Sequence, residues 1–167
     1  MSDFFPLPLR QLAMLVSDEA RQRRLRIATA ESCTGGLLGG LLTDIPGSSD
    51  VFERGFITYS NKAKQEVLGV PGDLIADVGA VSESVARFMA EGALAESRAN
   101  IAVSVTGIAG PGGGTPMKPV GTVHIAVARE NRAVLHEACD FGDIGRTEVR
   151  LATLETALQL MDTMIKS

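Results

Sequence analysis

Apolar residues at Leu7, Leu9, Leu12, Leu15 and Val16 recur at helical spacing and give way to an arginine-rich end, which predicts an amphipathic helix over 7–24. The short apolar run from Leu25 to Ala30 reads as a buried strand. Ser32-Cys33-Thr34 then precedes Gly35-Gly36-Leu37-Leu38-Gly39-Gly40-Leu41-Leu42, and Ser or Thr ahead of an apolar run marks a helix start. Glycine inside a helix costs about 1 kcal/mol relative to alanine, so these glycines point to close packing on a sheet or close approach of a ligand. Ile45 to Ser49 is a loop. Val51 to Ser60, with Phe52, Phe56, Ile57, Thr58 and Tyr59, reads as a strand or short hairpin. Asn61 to Leu68 is helical and stops at Gly69. Ser82 to Arg98 is a strong helix, with Val85, Phe88, Met89 and Leu94 near one face and Ser82 or Ser84 as its cap. Ile101 to Thr106 is an apolar strand. Val120 to Arg129 and Ala133 to Phe141 form a hairpin about Glu130-Asn131-Arg132, and Thr147 to Ile165 is a closing helix.

Strands alternating with helices predict an α/β fold, a three-layer α/β/α sandwich whose hairpin makes the sheet mixed and mostly parallel. The chain has 167 residues, 45% of them hydrophobic and 22% charged, which suits a single domain over 1–167 with a real core. The net charge of -4 and the lack of a clustered basic face argue against a nucleic-acid partner. Arg21, Arg23, Arg24 and Arg26 lie beside Asp18 and Glu19 and read as a solvated helix end. Cys33 and Cys139, like His124 and His136, lack chelating spacing, so no metal is expected. The N-terminus lacks the basic start and apolar run of a signal peptide. No stretch approaches the roughly 20 apolar residues that span a bilayer. A cytoplasmic protein with no membrane partner is the expectation.

In open α/β sheets, ligands bind beyond the carboxyl ends of the strands. Glu31 to Gly36, Thr58 to Lys62 and Thr106 to Pro119 lie at such ends, so Ser32, Tyr59, Lys62 and Thr106 are candidates for one pocket. Ser32 at a helix start would sit among unpaired amides that stabilise an oxyanion or bind a phosphate. The competing reading is a plain helix cap. A serine needs a base. His124 and His136 lie in strands and read as sheet residues, whereas Lys62 in a partly dry pocket would have a lowered pKa and accept the proton. Lys62 as a solvated helix residue is its alternative. Cys33 is a rival nucleophile or a small buried side chain.

The loop Gly107-Ile108-Ala109-Gly110-Pro111-Gly112-Gly113-Gly114-Thr115-Pro116 specifies an unusual backbone path whose amides suit an anion. It matches neither the Walker pattern nor a dinucleotide fingerprint, and a rigid turn that only shapes the pocket is the other reading. Arg146 and Arg150, one helical turn apart, suit either a phosphate or a surface pairing with Glu148 or Asp143.

These segments also carry a resemblance. Ala30-Glu31-Ser32-Cys33-Thr34-Gly35-Gly36, Pro46-Gly47-Ser48-Ser49, Thr58-Tyr59-Ser60-Asn61-Lys62-Ala63-Lys64, Gly79-Ala80-Val81-Ser82, Val105-Thr106-Gly107-Ile108-Ala109-Gly110-Pro111-Gly112-Gly113-Gly114-Thr115 and Lys118-Pro119-Val120-Gly121-Thr122-Val123 run in the order of the CinA carboxy-terminal domain family, over residues 8–166. The chain resembles that family, whose characterised activity is nicotinamide-mononucleotide amidohydrolase. The resemblance implies deamidation of nicotinamide mononucleotide to nicotinic acid mononucleotide and ammonia, in pyridine nucleotide recycling. It implies Ser32 as nucleophile, Lys62 as general base, and Tyr59 and Thr106 beside the reacting groups. Thr34, Gly35, Gly107, Gly110, Gly112, Gly113 and Arg146 would hold the small-molecule nucleotide substrate, with no cofactor and no metal. Larger members carry an additional amino-terminal domain, and a single domain without it is the expectation here. Phe141-Gly142-Asp143-Ile144-Gly145-Arg146 has extra residues before Arg146 relative to the commoner Gly-Asp-Arg pattern. The alternative function is a non-catalytic nucleotide-binding module of the same fold. The apolar first helix offers a face for a homodimer or higher homo-oligomer.

Overall fold

The computed structural model describes residues 3–167. In chain order the elements are α1 (Leu7–Gln22), β1 (Ile27–Glu31), α2 (Leu37–Thr43), β2 (Phe52–Ile57), α3 (Asn61–Leu68), α4 (Gly72–Val78), α5 (Glu83–Ala95), β3 (Ile101–Gly107), β4 (Thr122–Arg129), β5 (Leu135–Asp140) and α6 (Arg146–Ile165). The five strands form one sheet in the order β2-β1-β3-β4-β5. β1 pairs in parallel with β2 and β3, while β4 is antiparallel to both β3 and β5. Four strands therefore run one way and β4 alone runs against them, which is the mixed, mostly parallel sheet that the hairpin predicts.

Helices cover both faces. On one face α1, α2 and α6 bury Leu9, Val16, Leu38, Leu41, Leu154 and Leu158 against Val103, Val105, Ile125 and Val127. The buried stripe of α1 runs through Leu9, Ala13, Val16 and Ala20, whereas Leu7 and Leu15 are exposed. On the other face α5 sets Val85, Met89 and Ala93 against Ala28, Ala30 and Ala102. Ala86 and Ala90 meet Ala126 and Ala128. Small residues on both sides let α5 lie close to the sheet. Gly92 lets it lie close to α3, because a Cβ there would run into the Leu68 carbonyl. Phe88, expected near the buried face, is exposed instead.

Ser82 caps α5 by accepting from the Val85 amide. The short helix α4 has no counterpart in the sequence reading. Its seven residues make too few turns to show a helical period, and Pro71-Gly72 reads as a turn. Among the described residues, no helix is long and apolar enough to cross a membrane.

Candidate active site

The carboxyl ends of β1, β2 and β3 open onto a pocket of about 290 Å³. Ser32, Tyr59, Thr106, Gly107, Gly110, Gly112, Gly113 and Arg146 all line it. The topology explains the convergence. β1 lies between β2 and β3, so the loops leaving the three parallel strands emerge side by side.

Ser32 is the first residue beyond β1. Its amide donates to the Val105 carbonyl at 3.0 Å, which ties the turn to β3. Its hydroxyl is not a helix cap. The cap of α2 is Gly36, at φ 106°, a conformation that glycine adopts without strain. The amides of the first turn of α2 are taken by the buried carboxylate of Glu31: Leu38 donates to Oε1 at 2.9 Å and Gly39 to Oε2 at 3.0 Å. The Thr34 hydroxyl adds a third bond, to Oε1 at 2.6 Å. The expectation that the α2 amides stay free for an oxyanion is therefore corrected, because Glu31 occupies them.

The partner of Ser32 is Lys64. Its Nζ lies 2.9 Å from Ser32 Oγ, 2.9 Å from the Thr58 carbonyl and 3.2 Å from the Tyr59 carbonyl. Lys64 is 1% exposed, a rare state for lysine. Burial disfavours the charged ammonium and pulls its pKa below the ordinary 10.5. The assignment of Lys62 as the base is corrected by the same helix. Ser60 caps α3 by accepting from the Ala63 amide at 3.0 Å, which fixes the start of the helix. Residues two apart on a helix point about 200° apart, so only one of these two lysines can face the sheet. Lys64 does, one turn before the buried Leu68. Lys62 faces outward, 75% exposed along its side chain and 3.8 Å from Glu66. The Lys64-to-Leu68 spacing was a readable signal, since a residue four positions from the apolar end of a short helix shares its buried face.

Two other assignments need correction. Thr34 and Gly35 do not line the pocket. The Thr34 side chain is turned to Glu31, and Gly35 at φ 58° packs beside the Arg150 guanidinium. Arg150 pairs neither with a phosphate-facing loop nor with Glu148 or Asp143. Its Nε and Nη2 donate to the Cys33 and Thr34 carbonyls, each at 3.2 Å. Thr106 is buried and its hydroxyl donates to the Ala80 carbonyl at 3.0 Å. Arg146 spans the pocket mouth, donating to the Gly110 carbonyl at 2.8 Å and to the Tyr59 hydroxyl at 3.2 Å. Asn61 also lines the pocket and was not anticipated.

Lys64 and Arg146 are the charged residues of the lining, and no carboxylate joins them. In a chain of net charge -4, that local balance suits an anionic ligand. Cys33 also lines the pocket, but burial pushes its thiol up to about 11, so it is not the thiolate that a nucleophile requires. His124 and His136 stack on each other away from the pocket, with ring nitrogens 2.9 Å apart and His136 3.5 Å from Glu83. Among the described residues, no group of three or more His, Cys, Asp or Glu is placed to hold a metal ion.

A family model described as CinA C-terminal domain matches residues 9–165. A CinA-like protein of Chlorobaculum tepidum is 54% identical over 143 residues, which cover 83% of this chain and 33% of that protein. A CinA-like protein of Akkermansia muciniphila is 61% identical over 107 residues, covering 64% of this chain and 26% of that one. The chain thus spans a third or less of these curated relatives. The crystal structure of the competence/damage inducible protein CihA from Agrobacterium tumefaciens superposes with a TM-score of 0.96 at 51% identity, covering 99% of this chain and 100% of that one.

Proposed function

Because the chain belongs to the CinA C-terminal domain family, we propose that it is an amidohydrolase that converts nicotinamide mononucleotide to nicotinic acid mononucleotide and ammonia through a Ser32–Lys64 pair, in pyridine nucleotide recycling. The observation that carries the reading is the 2.9 Å approach of Lys64 Nζ to Ser32 Oγ inside a pocket free of carboxylates. The Thr58 and Tyr59 carbonyls can only accept hydrogen bonds. When Lys64 is neutral, its two N–H bonds go to those carbonyls and its lone pair is left facing the Ser32 hydroxyl. The amine is thereby oriented as a base before substrate arrives.

The chemistry balances on these two residues. Lys64 takes the Ser32 proton, Oγ bonds to the carboxamide carbon, and the carbonyl π electrons move to oxygen. The tetrahedral oxyanion collapses, the C–N bond breaks, and the leaving nitrogen takes the proton from Lys64 to depart as ammonia. Water then gives its proton to Lys64 and attacks the acyl-enzyme, and Ser32 leaves with that proton. Arg146 and the Gly110–Gly113 backbone flank the space that the single phosphate would occupy. Thr106 and Tyr59 wall the reacting end, with Thr106 held in place by the Ala80 carbonyl.

Ammonia release from nicotinamide mononucleotide by the purified chain tests the proposal. Turnover is expected in the unmodified protein and none above background in Ser32→Ala. Nucleotide binding without ammonia release in the unmodified protein would instead establish a non-catalytic binding module.

A further inference from the structure

Glu31 occupies the amides at the start of α2, so the charge that develops when Ser32 attacks a carboxamide has to be met from elsewhere in the pocket. Other side-chain donors of the lining are committed to the protein. Lys64 donates to the Thr58 and Tyr59 carbonyls, Thr106 to the Ala80 carbonyl, and Arg146 to the Gly110 carbonyl. The Tyr59 hydroxyl is held at the pocket mouth by Arg146. Asn61 is different. It lines the same pocket, and its side-chain amide carries two N–H donors. The side-chain hydrogen bonds at the start of α3 belong to Ser60 and Lys64, and among the described residues the Asn61 carboxamide takes part in none. The rotation of α3 sets it beside the base. Ser60 caps the helix, so Asn61 is its first residue and Lys64 lies three further on. Residues three apart point about 60° apart, with a rise of about 4.5 Å. Asn61 therefore shares the face on which Lys64 meets Ser32.

We propose that Asn61 is a further catalytic residue, whose Nδ2–H donates to the substrate carbonyl oxygen as Ser32 attacks. The inference rests on the Ser32–Lys64 reading. As Oγ bonds to the carboxamide carbon and its proton passes to Lys64, the carbonyl π electrons move to oxygen, which accepts the Asn61 N–H more strongly than the ground-state carbonyl does. When the C–N bond breaks and ammonia leaves with the Lys64 proton, the carbonyl re-forms and that hydrogen bond weakens again. A donor that gains strength only in the transition state raises kcat rather than lowering KM. A neutral side chain suits the position, because a carboxylate beside Lys64 would favour its charged form and hold it from acting as the base. The exposed Asn61 sits where water can serve it until a ligand covers Ser32.

The test uses a substrate-independent probe, a small fluorophosphonate. Labelling forms the bond from Ser32 Oγ to phosphorus, breaks the P–F bond, releases fluoride and passes the serine proton to Lys64. Its transition state places negative charge on the phosphoryl oxygen and calls on the same donor. Labelling is expected at Ser32 in the unmodified chain and absent in Ser32→Ala. Asn61→Ala removes the donor without adding charge. Asn61→Asp keeps the shape, removes the donor and places an acid in the first turn of α3, where it favours the helix. Rates are compared at alkaline pH, where Lys64 is the free amine, so that the new carboxylate does not act through the lysine's titration. Both variants are expected to label about 100-fold more slowly, the scale of one missing oxyanion donor, with circular dichroism unchanged and Asn61→Asp melting no lower than the unmodified chain. With nicotinamide mononucleotide, kcat should fall in parallel while KM stays within about twofold. Labelling of Asn61→Ala at the unmodified rate would overturn the inference, as would a raised KM with kcat unchanged. Failure of the unmodified chain to label would overturn it together with the nucleophile reading. Labelling without turnover of nicotinamide mononucleotide would remove only the substrate, and the labelling rates of the Asn61 variants would still decide the inference.

Discussion

Lys64 is the residue on which the reading turns, and its titration is the property to measure. Burial lowers its pKa from 10.5, so the free amine is present at a lower pH than for an exposed lysine. Protonation blocks the lone pair that faces Ser32. The rate kcat/KM should therefore rise with pH and level off as Lys64 loses its proton, with a midpoint below 10.5. A pH–rate profile checks this, and one that is flat from pH 6 to 10 would count against Lys64. Cys33 does not explain a basic limb of this kind at neutral pH, because its thiol is pushed up to about 11. The contrast between adjacent residues is physical. The Ser32 hydroxyl meets the Lys64 amine, while burial outweighs the hydrogen bond that the thiol one position on receives from its own amide.

The short helix α3 places that lysine, and its start decides which lysine is used. Ser60 has extended backbone and accepts from the Ala63 amide, so Asn61 is the first helical residue. At the other end Gly69, at φ 70°, lets the chain leave the helix and brings the Val70 amide to the Lys64 carbonyl at 3.1 Å. Both ends thus fix the rotation of a helix of only eight residues. Loss of the cap should loosen it. Ser60→Ala is expected to lower stability by about 1 kcal/mol, read by urea unfolding. With Lys64 as the proposed base, it should also lower kcat more than it raises KM, because Lys64 is buried beside Ser32. A variant with unchanged stability and unchanged kcat would show that the cap does not set the helix.

At the scale of the molecule, the mixed, mostly parallel sheet and the two helical layers were legible in the chain, because long apolar runs such as Ile101–Thr106 and the helical stripes of α1 and α5 have strong periods. The convergence of the three loops was an expectation, and the parallel order of β2, β1 and β3 that produces it is visible only in the structure. Less legible were features that depend on which way one turn is rotated. Lys62 and Lys64 share a motif, and only the rotation of α3 separates them. Ser32 stands where a cap is expected, yet the acidic residue before it performs the capping from the end of the strand. Thr34 and Gly35 follow Ser32 in sequence but turn toward Glu31 and Arg150 rather than the pocket. Short α4 lacks the length to show a period at all. These are the places where tertiary contacts, and not local pattern, decide the outcome.

Ser32, the buried Lys64 amine and Arg146 meet in one pocket at one end of the sheet. Methionine keeps the length and burial of the Lys64 side chain, at the cost of the donor to the Thr58 and Tyr59 carbonyls, a loss of about 1–3 kcal/mol that leaves the fold intact. The most direct measurement compares kcat/KM for nicotinamide mononucleotide in Lys64→Met and Lys62→Met under identical conditions, with thermal melting to confirm folding. Lys64→Met is expected to lose at least about 100-fold, the scale of a missing general base, while still melting cooperatively at neutral pH, and Lys62→Met to stay within about twofold of the unmodified chain. Equal activity in the two variants, or a larger loss in Lys62→Met, would contradict the account.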